Sequence, residues 1–356
     1  MEKLRVLIIG AAFSADLHSD GYSRMLDKVQ IVGICDKALD RIEALANRYG
    51  FTGYTAYDDY NTAIEQCECD LVDICMPNFL HHDVAIKAMN AGHDIICEKP
   101  LATTVEDAQD MVDTANRLGK HIYYAEDWLF APAFRKAKDL LESGQLGKML
   151  YIRARECHSG SHSPFAQTIK YCGGGCMVHL GVHPVCFMLA LKDNKWAELT
   201  AMTSGGLENN LIHNKMEGED WAGAFMRFQD GTFATMEANY VTVGGMEDIM
   251  DIYCERGTIK VDLSFRGPVQ AFSIDGLDYT IEKAEVTTGW ANVAVDEKYQ
   301  LGYCGEINHF VDSAIAGKDA QIGLRGIDGL EALRVINLIY KSAKEGVNIK
   351  NDKMEG

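Results

Sequence analysis

A lysine follows directly after a predicted buried strand, at a place where it could contact ligands. The apolar run Ile95-Ile96-Cys97 is short and unbroken, as expected for a strand of a parallel sheet, and Glu98-Lys99-Pro100 follows it. Because ligands of open α/β sheets bind outside the carboxyl ends of the strands, Glu98 and Lys99 are predicted to contact a dinucleotide. The Lys99 ammonium group could also contact a second substrate. A lone lysine at a strand end is more often a solvated surface residue, so a ligand-binding role for Lys99 depends on the motifs in the rest of the chain.

A turn of small residues follows the first predicted strand. Its sequence, Gly10-Ala11-Ala12-Phe13-Ser14-Ala15, has the form G-x-A-x-x-A instead of G-x-G-x-x-G. Gly10 permits the tight turn, Ala12 lets a pyrophosphate approach, and Ala15 lets the next helix pack closely. Asp36 lies 26 residues after Gly10. Its carboxylate could accept hydrogen bonds from the adenosine ribose hydroxyls and would repel a 2′-phosphate. The pattern predicts an NAD site, with NADP disfavoured; an ordinary βα turn is the alternative.

Two histidines follow a glycine-rich turn in the second half of the chain. Gly173–Leu191 is predicted to open with glycines and to continue as one apolar helix, so that His179 and His183, four positions apart, share a helical face. Imidazoles suit proton transfer near neutral pH. Zinc is the alternative, because Cys172, Cys176 and the two histidines have the spacing C-x3-C-x2-H-x3-H. The glycines between the cysteines disfavour that set, and no metal site is predicted.

The elements that position these groups indicate an α/β fold with two domains. Over residues 1–125, buried strand runs alternate with amphipathic helices, which predicts a doubly wound parallel (Rossmann) sheet. Pro77, Asn78 and His81 follow the fourth strand at the edge that would face the cofactor, and Asn78 is expected to cap the helix beginning near Leu80.

Residues 126–356 are predicted to form an α+β domain with a large, open, mostly antiparallel sheet. Hairpin turns at Gln229-Asp230-Gly231 and Arg256-Gly257 support this arrangement. The uncovered face of such a sheet suits subunit pairing, so a homodimer or homotetramer is expected. The last helices, near residues 304–317 and 324–345, could pack back on the first domain.

Composition narrows the classes of partner and compartment. The net charge is −18 without any basic block, which argues against nucleic acid as a partner. No apolar run approaches the ~18 residues of a membrane span. A strand-like stretch begins at Leu4, which leaves no room for a signal peptide, and the eleven cysteines suit reduced thiols. A cytoplasmic protein without membrane contact is therefore expected.

Taken together, these motifs resemble the family of glucose-fructose oxidoreductase, inositol dehydrogenase and rhizopine-catabolism proteins (Gfo/Idh/MocA). The similarity spans nearly the whole chain and includes His18 on the helix after the Gly10 turn. It implies hydride transfer between a nicotinamide and a sugar or polyol carbon. Lys99 matches the lysine that contacts cofactor and substrate hydroxyl, and His183 matches the catalytic histidine. Many relatives carry aspartate at the position of His179, so the substrate or the acid/base assignment could differ.

Two further segments resemble a less characterised subgroup of that family. These are Glu126-Asp127-Trp128 and His158-Ser159-Gly160-Ser161-His162. The resemblance implies substrate contacts by Glu126, Trp128, His158 and His162, with Trp128 as an apolar platform for a sugar face. Some relatives oxidise the 3-hydroxyl of glucosides.

The resulting hypothesis is reversible oxidation of a secondary hydroxyl of a sugar, glycoside or cyclic polyol by NAD. His183 would take the hydroxyl proton, Lys99 would stabilise the oxygen, and His179 would orient the substrate or His183. Three alternatives stay open: glycoside cleavage through transient oxidation, hydride shuttling between two sugars on a tightly held cofactor, and a non-catalytic NAD/sugar sensor.

Overall fold

The computed structural model describes residues 3–161, 163, 165–264, 269–276, 288–292 and 295–351. The chain divides into two compact units. The first unit contains Met1–Phe130, Lys170–Gly173 and Gly302–Arg334, and the second contains Ala131–Ile169, Gly174–Leu301 and Val335–Gly356. The late segment from Gly302 thus belongs to the first unit, and the division passes through the last helix.

The first unit contains a six-stranded sheet in which all neighbouring strands are parallel. The strand order β3-β2-β1-β4-β5-β6 reverses direction at β1 and β4, where doubly wound sheets bind ligands. The predicted Rossmann architecture is confirmed. The strands are β1 (Leu4–Ile9), β2 (Val29–Cys35), β3 (Thr55–Tyr57), β4 (Leu71–Ile74), β5 (Asp94–Glu98) and β6 (Ile122–Ala125).

Two of the helices between these strands begin at a side-chain N-cap, and two end at a glycine in the left-handed conformation. Thr104 accepts a hydrogen bond from the Asp107 amide at the start of α5, and Gly119 ends that helix in a left-handed conformation. Asp59 caps α3 through the Thr62 amide. The helices are α1 (Phe13–Ser23), α2 (Leu39–Tyr49), α3 (Tyr60–Gln66), α4 (His81–Asn90) and α5 (Val105–Leu118).

The second unit is built on a seven-stranded sheet with the order β12-β11-β7-β10-β9-β8-β15. Its neighbours are antiparallel except for the parallel pair β7 and β10, so the predicted mostly antiparallel sheet is confirmed. Its strands are β7 (Met149–Cys157), β8 (Trp196–Thr203), β9 (Trp221–Phe228), β10 (Phe233–Asn239), β11 (Glu247–Cys254), β12 (Gly257–Asp262) and β15 (Ile349–Lys350). A separate two-stranded ladder joins β13 (Gln270–Ser273) and β14 (Gly289–Asn292).

The remaining helices follow in chain order. They are α6 (Pro132–Glu142), α7 (Ile169–Cys172), α8 (Cys176–His179), α9 (Val182–Leu191), α10 (Glu297–Leu301), α11 (Tyr303–Ile315) and α12 (Gly326–Glu345). Helix α8 contacts β9 and β10, and α9 contacts β7, so these helices cover one face of the second sheet. Its other face leaves Met202, Phe225 and Phe233 more than half exposed.

The single helix predicted over Gly173–Leu191 is wrong. The structure has α8 and α9 instead, with a break at Leu180 and Gly181. The cause is Pro184, which has no N–H and whose ring would clash with the carbonyl of Leu180 in a continuous helix, but which is tolerated in the first turn of a new helix. His179 therefore ends α8 while His183 lies in the first turn of α9.

Within the described ranges, no single helix combines the length and apolar character needed to cross a membrane. One bent pair, Ile169–His179 with Val182–Leu191, meets the test by length and composition only. All eleven cysteines are free and buried.

Candidate functional site

The turn after β1 brings backbone groups close to the end of β4. Gly10 has φ +103°, and a Cβ atom there would lie 2.1 Å from the Cys75 carbonyl oxygen, so only glycine fits. Helix α1 begins three residues later, after Ala12, whose side chain carries no capping group. Its N-terminal amides and partial positive charge are suited to phosphate. Phe13 is 48 % exposed at this edge, Ser14 is partly exposed, and Ala15 is buried.

Asp36 is tied to the same turn. It follows β2, and its Oδ2 atom accepts a hydrogen bond from the Ala11 amide at 2.9 Å while Oδ1 accepts one from the Ala38 amide at 2.9 Å. These contacts fix a carboxylate at the carboxyl end of β2, where an adenosine ribose would lie. Gly10, the start of α1 and Asp36 therefore fit a dinucleotide.

His81 connects the ends of β4 and β5. Its Nδ1 atom lies 2.8 Å from the Pro100 carbonyl oxygen and its Nε2 atom 2.8 Å from the Met76 carbonyl oxygen. Burial lowers the pKa of His81 below its usual value. With both ring nitrogens facing backbone carbonyls, this side chain holds two loops at the predicted ligand edge.

The predicted capping role of Asn78 is wrong. Pro77 precedes a short 3-10 helix, Asn78–Leu80, and α4 starts at His81 without a side-chain cap. The Asn78 Nδ2 atom instead donates a hydrogen bond to the Cys172 carbonyl at 3.0 Å. Asn78 lies two residues before Leu80, the N-cap position of α4, so it does not occupy the position from which a side chain caps that helix.

Lys99 directly follows β5 and is half-buried, and its peptide bond with Pro100 is cis. The preceding Glu98 is buried, and its Oε2 atom accepts a hydrogen bond from the Lys99 amide at 2.9 Å. The other carboxylate oxygen of Glu98 lies 3.2 Å from the Nε2 atom of His18. Glu98, predicted as a cofactor contact, therefore uses both oxygens to hold the start of the lysine loop.

A group of buried titratable residues lies behind this loop. His18 also contacts Asp73, whose Oδ2 accepts a hydrogen bond from the Tyr22 hydroxyl at 2.9 Å. Burial opposes a charged His18, but the Asp73 charge and hydrogen bonds outweigh it and raise the pKa of His18 well above 6.5. Burial likewise would raise the pKa of Glu98, yet the hydrogen bond and charge of His18 lower it. Glu306, in the first turn of α11, is 1 % exposed.

His183 and His179 occupy different surroundings in the second unit. His183 is buried, and its Nε2 atom lies 3.9 Å from Glu156 Oε1. His179 is half-buried, and its Nδ1 atom lies 2.7 Å from the Tyr240 hydroxyl oxygen. The Tyr240 contact gives His179 a fixed orientation that a helical pattern alone did not predict.

The turn before α8 is shaped by a buried carboxylate. The Glu219 side chain accepts hydrogen bonds from the Gly175 and Met177 amides at 3.1 and 2.8 Å, and a Cβ atom on Gly175 would meet the Glu219 backbone at 2.2 Å. Burial raises the pKa of Glu219. The glycines thus permit close packing of this loop.

The other predicted substrate residues have less accessible positions. Glu126 and Trp128 are 0 % and 1 % exposed, and the Trp128 amide donates to Glu126 Oε1 at 3.2 Å. The Trp128 ring therefore offers no open face for a sugar. His158 is buried beside Glu156 and Asp248. His162 lies outside the described residues.

The alternative zinc set is not assembled in the described part of the chain. Groups of residues whose ligand atoms could share an ion do occur there, but none includes Cys172, Cys176 or His179. The Cys176 Sγ atom lies 3.1 Å from the Ala238 carbonyl oxygen instead.

The sequence analysis missed several of these residues. Asp73 interrupts the apolar strand Leu71–Ile74, and a carboxylate in a buried run is a signal that could have identified it. Tyr22, Glu306 and Asp248 gave no comparable signal, because their partners are distant in sequence.

Comparison with known proteins gives matches along most of the chain. A family model described as an oxidoreductase family with an NAD-binding Rossmann fold matches residues 4–126, and the GFO/IDH/MocA C-terminal domain matches residues 134–260. An uncharacterized oxidoreductase of Rhizobium meliloti, ORF334, is 30 % identical over 346 residues, which cover 97 % of this chain and 98 % of the relative. D-glucoside 3-dehydrogenase of Escherichia coli (strain K12) is 25 % identical over 355 residues, with 98 % and 97 % covered.

A solved structure has the same fold over nearly its whole length. GenD2 from gentamicin A biosynthesis, in complex with NAD, superposes with a TM-score of 0.88 at 20 % identity, and the match covers 99 % of this chain and 97 % of that one. At this identity the likeness concerns the fold alone.

Proposed function

The chain belongs to the GFO/IDH/MocA family of oxidoreductases, and we propose that it is an NAD-dependent dehydrogenase that oxidises a secondary hydroxyl of a sugar, glycoside or cyclic polyol. The observation that carries this proposal is the position of Lys99. It follows β5 at the carboxyl edge of the sheet, and Glu98 and His81 fix the backbone on either side of it. An ammonium group held at that edge can polarise a substrate oxygen.

The residues around Gly10 would hold the cofactor. The α1 N-terminus would bind the pyrophosphate, and Asp36 would accept hydrogen bonds from the ribose hydroxyls. When bound there, the nicotinamide would supply the acceptor for a hydride from the substrate carbon. The sugar alcohol becomes a ketone as its carbon loses a hydride and its oxygen loses a proton.

Two side chains are assigned to the substrate hydroxyl, one to its proton and one to its oxygen. His183 takes the hydroxyl proton as general base. Lys99 donates a hydrogen bond to the same oxygen and stabilises the negative charge that develops there. His179, held by Tyr240, orients the substrate. Trp128 does not act as a platform for the sugar in this scheme, because its ring is buried.

The choice of NAD over NADP rests on Asp36. A carboxylate at the end of β2 would repel a 2′-phosphate. Replacing Asp36 by Ser should raise kcat/KM with NADP relative to NAD by about tenfold or more, equivalent to ~1.4 kcal/mol. An unchanged ratio would show that another group sets the preference.

The substrate class is proposed to include glucosides oxidised at the 3-hydroxyl. The similarity to D-glucoside 3-dehydrogenase over nearly the full chain supports this choice. A panel of glycosides, free sugars and inositols, incubated with NAD, tests it by NADH absorbance and by the mass and NMR spectrum of the product. Net NADH with a product lighter by two hydrogens supports a dehydrogenase.

The other outcomes distinguish the alternatives. Cleaved glycoside without net NADH would indicate transient oxidation, and exchange of hydride between two sugars would indicate a shuttle. Tight NAD binding without any oxidation across the panel would overturn the proposal in favour of a sensor.

The exposed face of the second sheet is proposed as a subunit interface. Met202, Phe225 and Phe233 are 71 %, 65 % and 57 % exposed there. A homodimer or homotetramer would bury them, and Phe225→Glu should shift the mass measured by light scattering toward the monomer.

A further inference from the structure

Two buried carboxylates lie opposite each other on the helix-covered face of the second sheet. Glu156 on β7 pairs in register with Asp248 on the antiparallel β11, and the residues are 2 % and 0 % exposed. Like charges directly opposite each other destabilise a sheet, and ionised groups are costly to bury. A cation placed between the two carboxylates would offset both of these costs.

The cations of the same strands lie on the other face. Arg153 and Arg155 alternate with the buried positions of β7 and form ion pairs with Asp251 and Glu247 of β11. Since successive side chains of a strand point to opposite faces, these guanidinium groups are separated from Glu156 and Asp248 by the sheet.

Two imidazoles lie beside the carboxylates. The His158 Nε2 atom is 3.7 Å from Glu156 Oε1 and 3.9 Å from Asp248 Oδ1, and His183 Nε2 is 3.9 Å from the same Glu156 oxygen. These distances are too long for hydrogen bonds. They agree with ligands around one ion, because two atoms each bonded at about 2.0–2.2 Å can lie up to ~4 Å apart.

We propose that Glu156, His158 and Asp248 bind a divalent transition-metal ion, with His183 beside it. One ligand atom from each of the three residues can be chosen so that all lie within 4.8 Å of one another. Carboxylate oxygen and imidazole nitrogen suit Zn²⁺ and Mn²⁺. A doubly charged ion neutralises the two carboxylates, and three protein ligands leave a coordination position for water or a substrate oxygen.

The ion content of the full-length protein tests this proposal without reference to activity. Mass spectrometry of the metals in protein purified without chelator should find about one ion per chain. After EDTA treatment and dialysis, calorimetric titration with Zn²⁺, Mn²⁺ and Co²⁺ should show one saturable site, and Co²⁺ should give a visible spectrum typical of nitrogen and oxygen ligands.

A matched pair of variants assigns the site. Asp248→Asn should weaken the affinity at least 100-fold. Asp251→Asn, on the same strand but paired with Arg153, should bind as the wild type does. The wild type should also gain thermal stability when the ion is added, as expected for a ligand of the folded state.

Three results would overturn the proposal. The first is that the purified protein contains no stoichiometric metal and binds none of the three ions. The second is that the melting temperature of the wild type does not change when the ions are added. The third is that folded Asp248→Asn binds the ions with the same affinity as the wild type.

Discussion

The Nδ1 atom of His18 lies 3.0 Å from both carboxylate oxygens of Asp73, and neither side chain is exposed. The two residues join α1 to β4, and the other ring nitrogen of His18 reaches Glu98 at the end of β5. A buried chain of charged groups thus connects the helix after the nucleotide turn to the backbone of Lys99. Its loss should affect both stability and the position of the lysine.

Replacing Asp73 by Asn should destabilise the protein, most strongly at low pH. The raised pKa of His18 means that the pair contributes fully below His18's usual pKa of 6.5 and loses its contribution as pH rises through the folded-state pKa. Removing one partner of a buried pair costs roughly 3–5 kcal/mol. Urea unfolding should show that difference in free energy between wild type and Asp73→Asn at pH 6. The difference should become smaller as the pH is raised toward 10.

An exposed pair provides the control. Asp70 contacts Arg5 at 2.8 Å, with both side chains over a third exposed. Asp70→Asn should change the free energy of unfolding by less than about 1 kcal/mol. A difference for Asp73→Asn that stays constant with pH would contradict a charged His18.

Replacing Glu306 by Gln should stabilise the protein at alkaline pH. In the described part of the chain neither Glu306 oxygen has a hydrogen-bond partner. Burial, together with Asp127, Glu98 and Glu126, raises the pKa of Glu306 well above 4.5, against the charge of His18. A raised pKa favours folding at low pH and costs stability as pH rises through the folded-state value. Gln removes that cost.

Chemical unfolding at pH 5 and pH 8 measures this effect. The difference between variant and wild type should grow by up to ~1.4 kcal/mol per pH unit in the titrating range. Asp312→Asn, on the exposed side of the same helix, is the control. It should change the free energy of unfolding by less than about 0.5 kcal/mol at either pH. A variant that is less stable than the wild type at pH 8 would disprove the assignment.

The elements that could be predicted are those with local signals at both ends. Helix α5, Val105–Leu118, lies where amphipathic helices were predicted to alternate with strands, because its apolar residues recur at a clear helical period. The structure adds that Gly119 ends this helix in a left-handed conformation. The segment Gly173–Leu191 is apolar on all sides, so the spacing of its apolar residues could not show where one helix ends and the next begins. The break caused by Pro184 was therefore missed.

The contacts that could not be predicted join residues far apart in sequence. His18 and Asp73 are 55 positions apart, and Glu156 meets Asp248 only because two distant strands pair in a particular register. Register depends on the packing of the whole sheet. Local patterns place Lys99 at a strand end, but they do not show that Glu98 and His81 hold its loop.

Replacing Gly10 by Ala should impair NAD binding and folding together. The added Cβ atom would lie 2.1 Å from the Cys75 carbonyl oxygen, at a positive φ that alanine adopts poorly. We expect at least a tenfold loss of NAD affinity by calorimetry, equivalent to ~1.4 kcal/mol. Gly50 also has positive φ but open space around it. Gly50→Ala should cost about 1 kcal/mol of stability and leave NAD affinity unchanged.

Replacing Lys99 or His183 by Ala should reduce turnover far more than cofactor binding. The lysine would stabilise developing charge and the histidine would take a proton, so each loss should lower kcat by about 100- to 10,000-fold. NAD affinity should change by less than about threefold, because neither side chain is assigned to the pyrophosphate or ribose. Steady-state kinetics with a substrate identified in the panel, together with NAD titration, separates these quantities. His82→Ala removes a partly exposed histidine that pairs with Asp110 and should leave both unchanged. Near-normal kcat in both Lys99→Ala and His183→Ala would exclude their assigned roles.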